Sequence, residues 1–127
     1  MPIQLTFDSR NFAVSTWSGR VTSQEVRDGI ARDLKEVGRA RPRAYLVDLR
    51  AVEDWDVDTP DLVSTVEVMQ EFVELFREMP VAIIAEHDEP FGMSRMFEMR
   101  LSAAQPLEIA VFRSYEEACS WLEGELR

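Results

Sequence analysis

Four carboxylates crowd one short stretch: Asp54, Asp56, Asp58 and Asp61. Asp-x-Asp-x-Asp offers several hard oxygens, the donor set that calcium prefers. The calcium loop of helix-loop-helix proteins also needs a glycine and a terminal glutamate at set offsets. Val57, Thr59 and Pro60 do not supply them. The run therefore reads as a solvated turn that feeds acids toward a helix start, where the dipole favours each by about 0.3 to 1 kcal/mol. No metal and no cofactor are expected. Trp55 stands inside this turn, either as a lid over the core or as an aromatic anchor for a partner.

Three other places carry reactive types. His87 is the one histidine, in the polar run Glu86-His87-Asp88-Glu89-Pro90. A general base needs a pocket and an orienting partner, and Asp88 or Glu86 is its nearest candidate in sequence. An exposed, non-catalytic histidine is the simpler reading. Cys119 has no second cysteine for a disulfide, and its helical position falls on an apolar side, so it reads as packing. Gly92-Met93-Ser94-Arg95 resembles a helix start. Free amides there bind anions, and Arg95 adds a fork of donors. Gly92, Ser94 and Arg95 are thus a candidate anion or polar-ligand site, with an Arg95 pairing to Glu98 or Asp88 as the structural alternative. No nucleophile-base pair or dinucleotide glycine motif is visible, so no catalytic residues are assigned and an enzyme is not expected.

The elements that position these residues follow from periodicity. Ile3, Leu5 and Phe7, then Phe12, Val14 and Thr16, alternate on either side of Asp8-Ser9-Arg10-Asn11. They predict a hairpin with one buried face, ended by Trp17-Ser18-Gly19-Arg20. Thr22-Ser23-Gln24-Glu25 fits a capping box. Val26, Ile30, Leu34 and Val37 then recur at helical spacing, with Gly38 as the stop. Ala44 to Arg50 reads as a buried strand and residues 53–60 as an acidic loop. Thr59 as cap and Pro60 at the first position open a second helix. Its stripe is Leu62, Val66, Met69, Phe72 or Val73, and Phe76, ending before Pro80. Val81 to Ala85 and Glu108 to Phe112 are further strands. Between them a helix is expected from Phe91 to about Leu101, closed by Ala103-Ala104-Gln105-Pro106. Ser114 to Glu117 is a second capping box, with Ala118, Cys119 and Leu122 facing inward. The order ββαβαβαβα predicts one α/β domain over residues 1–127: a mixed sheet with an N-terminal hairpin and parallel units.

Composition agrees with a globular domain. Hydrophobic residues are 46% and charged residues 30% of 127. A chain of this length buries roughly two-thirds of its unfolded surface. The net charge is -10. Phosphate-backbone binding draws on clustered Lys and Arg, so nucleic acid is not expected as a partner. No apolar run approaches the roughly 20 residues that span a bilayer. With no charged-then-apolar leader before Ile3, a soluble cytoplasmic protein without membrane insertion is expected.

Three segments carry a family likeness: Trp17-Ser18-Gly19-Arg20-Val21-Thr22, Tyr45-Leu46-Val47-Asp48-Leu49-Arg50-Ala51-Val52, and Val111-Phe112-Arg113-Ser114-Tyr115-Glu116-Glu117-Ala118-Cys119-Ser120-Trp121-Leu122. With the element order, they resemble a STAS domain, the fold of anti-sigma-factor antagonists, and within it the SpoIIAA-like branch, often labelled STAS/SEC14-like. The resemblance implies a regulatory protein-interaction domain. It also implies an Asp-Ser-Ser/Thr-Gly-like turn after the third strand, where a kinase phosphorylates a serine. That turn falls on Asp56-Val57-Asp58-Thr59 here. The acceptor position is Val57 or Asp58, so the usual phospho-switch is expected to be absent, with Thr59 the one nearby hydroxyl. Binding of a protein partner, or self-association, is expected through Trp55, Asp56, Asp58 and Thr59. The alternative is a lipid or other small apolar or anionic ligand held between the sheet and helix 91–101, with Arg95 at its head group.

Overall fold

In a computed structural model, described for residues 2–77, 79–104 and 108–126, the chain folds around a five-stranded sheet of order β1-β2-β3-β4-β5. β1 (Ile3–Phe7) runs antiparallel to β2 (Phe12–Thr22), with Ile3 opposite Trp17 and Phe7 opposite Ala13. The turn between them is built by Asp8, whose Oδ1 accepts from the amides of Arg10 (2.9 Å) and Phe12 (3.1 Å). Asn11 sits at φ 62°, a conformation that Asn tolerates well. β3 (Ala44–Asp56), β4 (Val81–Ile84) and β5 (Ile109–Phe112) follow, each parallel to its predecessor.

The intervening helices are α1 (Ser23–Ala40), α2 (Thr59–Gln70), α3 (Val73–Arg77) and α4 (Asp88–Ala104); α5 (Tyr115–Glu125) follows β5. Crossovers of one hand in an unreversed strand order stack helices on one face. Accordingly α1, α2 and α4 cover one side, closing a core that includes Trp17, Val26, Ile30, Leu34, Tyr45, Val47, Met69, Ile83 and Phe97. α5 covers the other side, where Ala118 and Leu122 pack on Phe12, Leu46 and Ile84. Gly29 lets α1 approach β1 closely: a Cβ there would stand 2.6 Å from Ile3 Cδ1.

Several boundaries differ from the periodicity reading, each for a physical reason. The hairpin does not bury a single face. β2 is an interior strand covered on both sides, so Ala13, Ser15 and Trp17 turn toward α1, Phe12 and Val14 turn toward α5, and Thr16 is exposed. Nor does β2 end at Trp17-Arg20. It continues to Thr22 through register shifts, one at Gly19, whose φ of 68° suits a residue without a side chain. Thr22 makes both halves of its capping box: its Oγ1 accepts from the Glu25 amide (3.3 Å), and its own amide donates to Glu25 Oε1 (3.1 Å). Gly38 does not stop α1. The helix runs to Ala40, and Arg41 ends it in the left-handed region, donating to the Val37 carbonyl at 2.9 Å.

The second helix is in two pieces. The end of α2 tightens into three-residue bonds, Glu71 N–H to Val68 O at 3.2 Å and Phe72 N–H to Met69 O at 2.9 Å, before α3 restarts. α4 begins at Asp88, not Phe91, because Pro90 is tolerated in a first turn whose amides need no partner. Gln105 and Pro106, read as its stop, lie outside the described residues. At α5 the box is half made: Ser114 Oγ accepts from the Glu117 amide at 3.3 Å, while its hydroxyl donates to Glu116 Oε2 at 3.0 Å.

Candidate functional site at the carboxyl end of the third strand

β3 is 13 residues long and outgrows its neighbour. It pairs with β4 only from Tyr45 to Asp48, yet with β2 as far as Asp56. Residues 53–56, expected in a loop, are therefore strand. Burial of Val52 and the inward packing of Trp55 hold them there against the poor strand preference of Glu and Asp. Glu53, Asp54, Asp56 and Asp58 point to solvent. Arg20 on β2 is the cation among them, 2.7 Å from Asp56 Oδ2 and 3.5 Å from Asp54 Oδ2; all three side chains are more than half exposed. Such pairs contribute little stability and leave the surface electronegative.

The cap of α2 is Asp58, not Thr59. Its Oδ1 accepts from the Asp61 amide at 3.0 Å, and Thr59 and Pro60 form the first turn. Carboxylate outranks threonine at this position and answers the helix dipole as well. The Asp58 amide donates to Ser23 Oγ at 3.4 Å, tying this junction to the start of α1. Asp61 is held below the usual carboxylate range, chiefly by a hydrogen bond from Ser23.

Trp55 is half-buried and packs against the core. Its ring stacks on Trp17 with centroids 6.3 Å apart and planes 14° from parallel. Both rings line a cavity of about 50 Å³ between the sheet and the helices, with Tyr45, Met69, Met93 and Phe97. Thr65 and Ser94 also line it, in a wall otherwise apolar. The indole Nε1 of Trp55 is buried with no hydrogen-bond partner among the described residues, a cost of about 1 to 3 kcal/mol.

Beside this cavity lies a polar network that local sequence pattern did not disclose. Asp33, 2% exposed, accepts on Oδ2 from Ser15 Oγ (2.6 Å) and Tyr45 Oη (2.9 Å), while Trp17 Nε1 donates to Ser15 Oγ (2.9 Å). Burial raises the Asp33 carboxyl above its ordinary pKa, although the two hydroxyls pull it down. Tyr45 is pushed well up by burial and by the Asp33 charge. The available signal was Asp33 itself, placed on the stripe of Val26, Ile30 and Val37 where an apolar residue belongs.

The remaining candidates separate. Gly92 is exposed and lies within α4 rather than at its start, Ser94 is buried at the cavity wall, and Arg95 turns out to Glu98 at 3.2 Å. They do not converge on one point. His87 is exposed; its expected orienting partner Asp88 pairs instead with Arg113 at 2.9 Å, and Arg113 also donates to the Glu86 carbonyl. Cys119 is in neither core. It is half-buried, its Sγ accepting from Arg10 Nη1 at 3.4 Å.

Solved structures share this architecture. An anti-sigma factor antagonist from Mycobacterium paratuberculosis superposes with a TM-score of 0.58 at 17% identity, over 95% of this chain and 92% of that one. The Bacillus cell fate determinant SpoIIAA in its phosphorylated form gives 0.55 at 15% identity, over 94% and 98%. An uncharacterized protein with a SpoIIAA-like fold from Shewanella loihica gives 0.54 at 14%, over 94% and 91%. No protein-family model and no curated protein matches the sequence. The chain has the SpoIIAA-like fold: a mixed five-stranded sheet, antiparallel at its first pair and parallel beyond. Among the described residues no helix is long and apolar enough to cross a membrane.

Proposed function

We propose that the chain is a non-enzymatic regulatory domain that binds a basic protein partner at the end of β3 and the start of α2, with Asp56, Asp58 and Thr59 at the contact. One observation carries this reading: Glu53, Asp54, Asp56 and Asp58 stand exposed on a hydrogen-bonded ribbon and its helix cap, not on a loop free to move. Trp55 supports the contact from below by holding the ribbon to the core. The likeness to anti-sigma factor antagonists supports a protein partner. A second copy is the weaker choice, because identical acids would face one another and each chain carries -10. Asp58 brings a fixed single charge where a phosphate would bring about -1.5 to -2. The domain therefore acts without a phosphoserine switch.

The double variant Asp54→Lys/Asp56→Lys tests the reading. The partner would be captured from lysate on the wild-type domain and its association rate measured. Reversal is expected to slow association at least tenfold and to flatten its salt dependence, since exposed charges act mainly on the encounter rate. An unchanged rate would remove these acids from the contact.

The buried, unpartnered Trp55 Nε1 favours a second reading, a small apolar ligand bearing one acceptor in the cavity between the sheet and α4. At about 50 Å³ the space is well below the roughly 150 Å³ that accommodates benzene. A lipid tail would enter only if Trp55 or α4 moved, and Arg95, paired with Glu98, faces away from it. Native mass spectrometry of freshly purified protein is expected to show a small adduct that Trp55→Phe loses. A clean apo mass would reject this reading.

A further inference from the structure

The strand that carries the acids also has an open side. From Leu49 to Asp56, β3 has no ladder to β4, and its one strand partner among the described residues is β2, which it follows through two register shifts. An edge of this kind is a template for another strand. It differs from the outer edges of β1 and β5, which any open sheet has, because here a central strand outgrows its neighbour. Its side chains fall out of strict alternation, because two register shifts against β2 lie within it. Val52 is buried and Trp55 half-buried, while Arg50, Ala51, Glu53, Asp54 and Asp56 face solvent.

We infer that the free edge of β3 between Leu49 and Asp56 receives an extended basic segment of the protein partner by strand addition. This rests on the partner-binding reading above and names its mode. Main-chain bonds to the edge beyond Arg50, whose amide donates to Asp48 Oδ1 at 3.0 Å, supply affinity, and Lys or Arg of the incoming strand meets Glu53, Asp54 and Asp56. Arg20 already occupies this place from the other strand, through exposed contacts that another cation readily replaces. The same acids keep a second copy from pairing edge to edge, since like charges directly opposite are unfavourable.

Two synthetic peptides separate the possibilities: one alternating lysine and valine, and its analogue methylated at every backbone nitrogen. They carry equal charge, and only the first can donate to a strand. The first is expected to bind and to slow hydrogen exchange at amides within residues 49–56, with the methylated analogue at least tenfold weaker. Equal binding of the two would overturn strand addition and leave the acidic surface as a purely electrostatic contact. Protection at the β1 or β5 edge instead would likewise overturn it. Binding of neither peptide would overturn both strand addition and attraction of basic chains to these acids.

Discussion

Tyr45→Phe is expected to destabilise the domain by about 2 kcal/mol at neutral pH, the scale of a hydrogen bond to a charged group, and most of that loss should disappear in acid. The phenol is one of two hydroxyl donors that reach the buried Asp33 carboxylate, 2.9 Å away. Removing it leaves a buried charge with Ser15 as its remaining hydroxyl donor. The sign follows from linkage. Burial raises the folded-state pKa of Asp33 above its unfolded value near 3.8, so the folded protein holds this proton more tightly. Stability from this group is then full below the unfolded pKa and is lost as pH rises through the folded one. Losing the Tyr45 donor raises the folded pKa further. The gap between wild type and variant should thus be widest at neutral pH and close as pH falls toward 4. Asp8 and Asp48 run the other way. Burial opposes their charge, but hydrogen bonds from Arg10 and Arg50 hold both below the usual range, so their contribution is present above the unfolded pKa and lost as pH falls. For that reason the difference between the two proteins, followed by urea titration at several pH values, is the quantity to measure. A loss that stays constant from neutral to acid pH would show that Asp33 is not the group relieved.

Trp55→Ala is expected to cost about 3 kcal/mol, at the lower end for truncating a large aromatic ring in a core. This reverses what a partner anchor in an exposed turn would do, where truncation would leave folding nearly untouched. The ring is stacked on Trp17 and closes a cavity among Met69, Met93 and Phe97. Its removal would enlarge that space and release the end of β3. Trp55→Phe separates the ring from the indole nitrogen. It keeps the stacking partner and deletes a buried donor that lacks an acceptor, so it should lose far less than alanine does. Equal losses for alanine and phenylalanine in chemical denaturation would show that the ring stack is not what matters.

The parts of the fold that local chemistry dictates were readable from the residues. Thr22 with Glu25, and the apolar run Val81–Ile84, each act within a few positions, and their elements stand where spacing put them. What escaped depends on distant neighbours. Glu53, Asp54 and Asp56 look like a loop because their own preference is for one; the ladder to β2 and the inward turn of Trp55 override it. Pro90 looks like a break, yet the first turn of α4 admits it. Asp33 gathers Ser15 and Tyr45 from 18 and 12 residues away, a span no periodicity reports. At the site, the acids and Asp58 were visible as types. That Trp55 faces inward, and that Gly92, Ser94 and Arg95 part company, depended on how strands and helices meet.

The unreversed order of the sheet has a temporal consequence. All the crossover helices lie on one face, so Phe12, Leu46 and Ile84 on the other gain their cover from α5 alone. During translation that apolar surface is complete well before its cover has been made. The nascent domain must wait, one side bare, until residues 115–125 emerge from the ribosome.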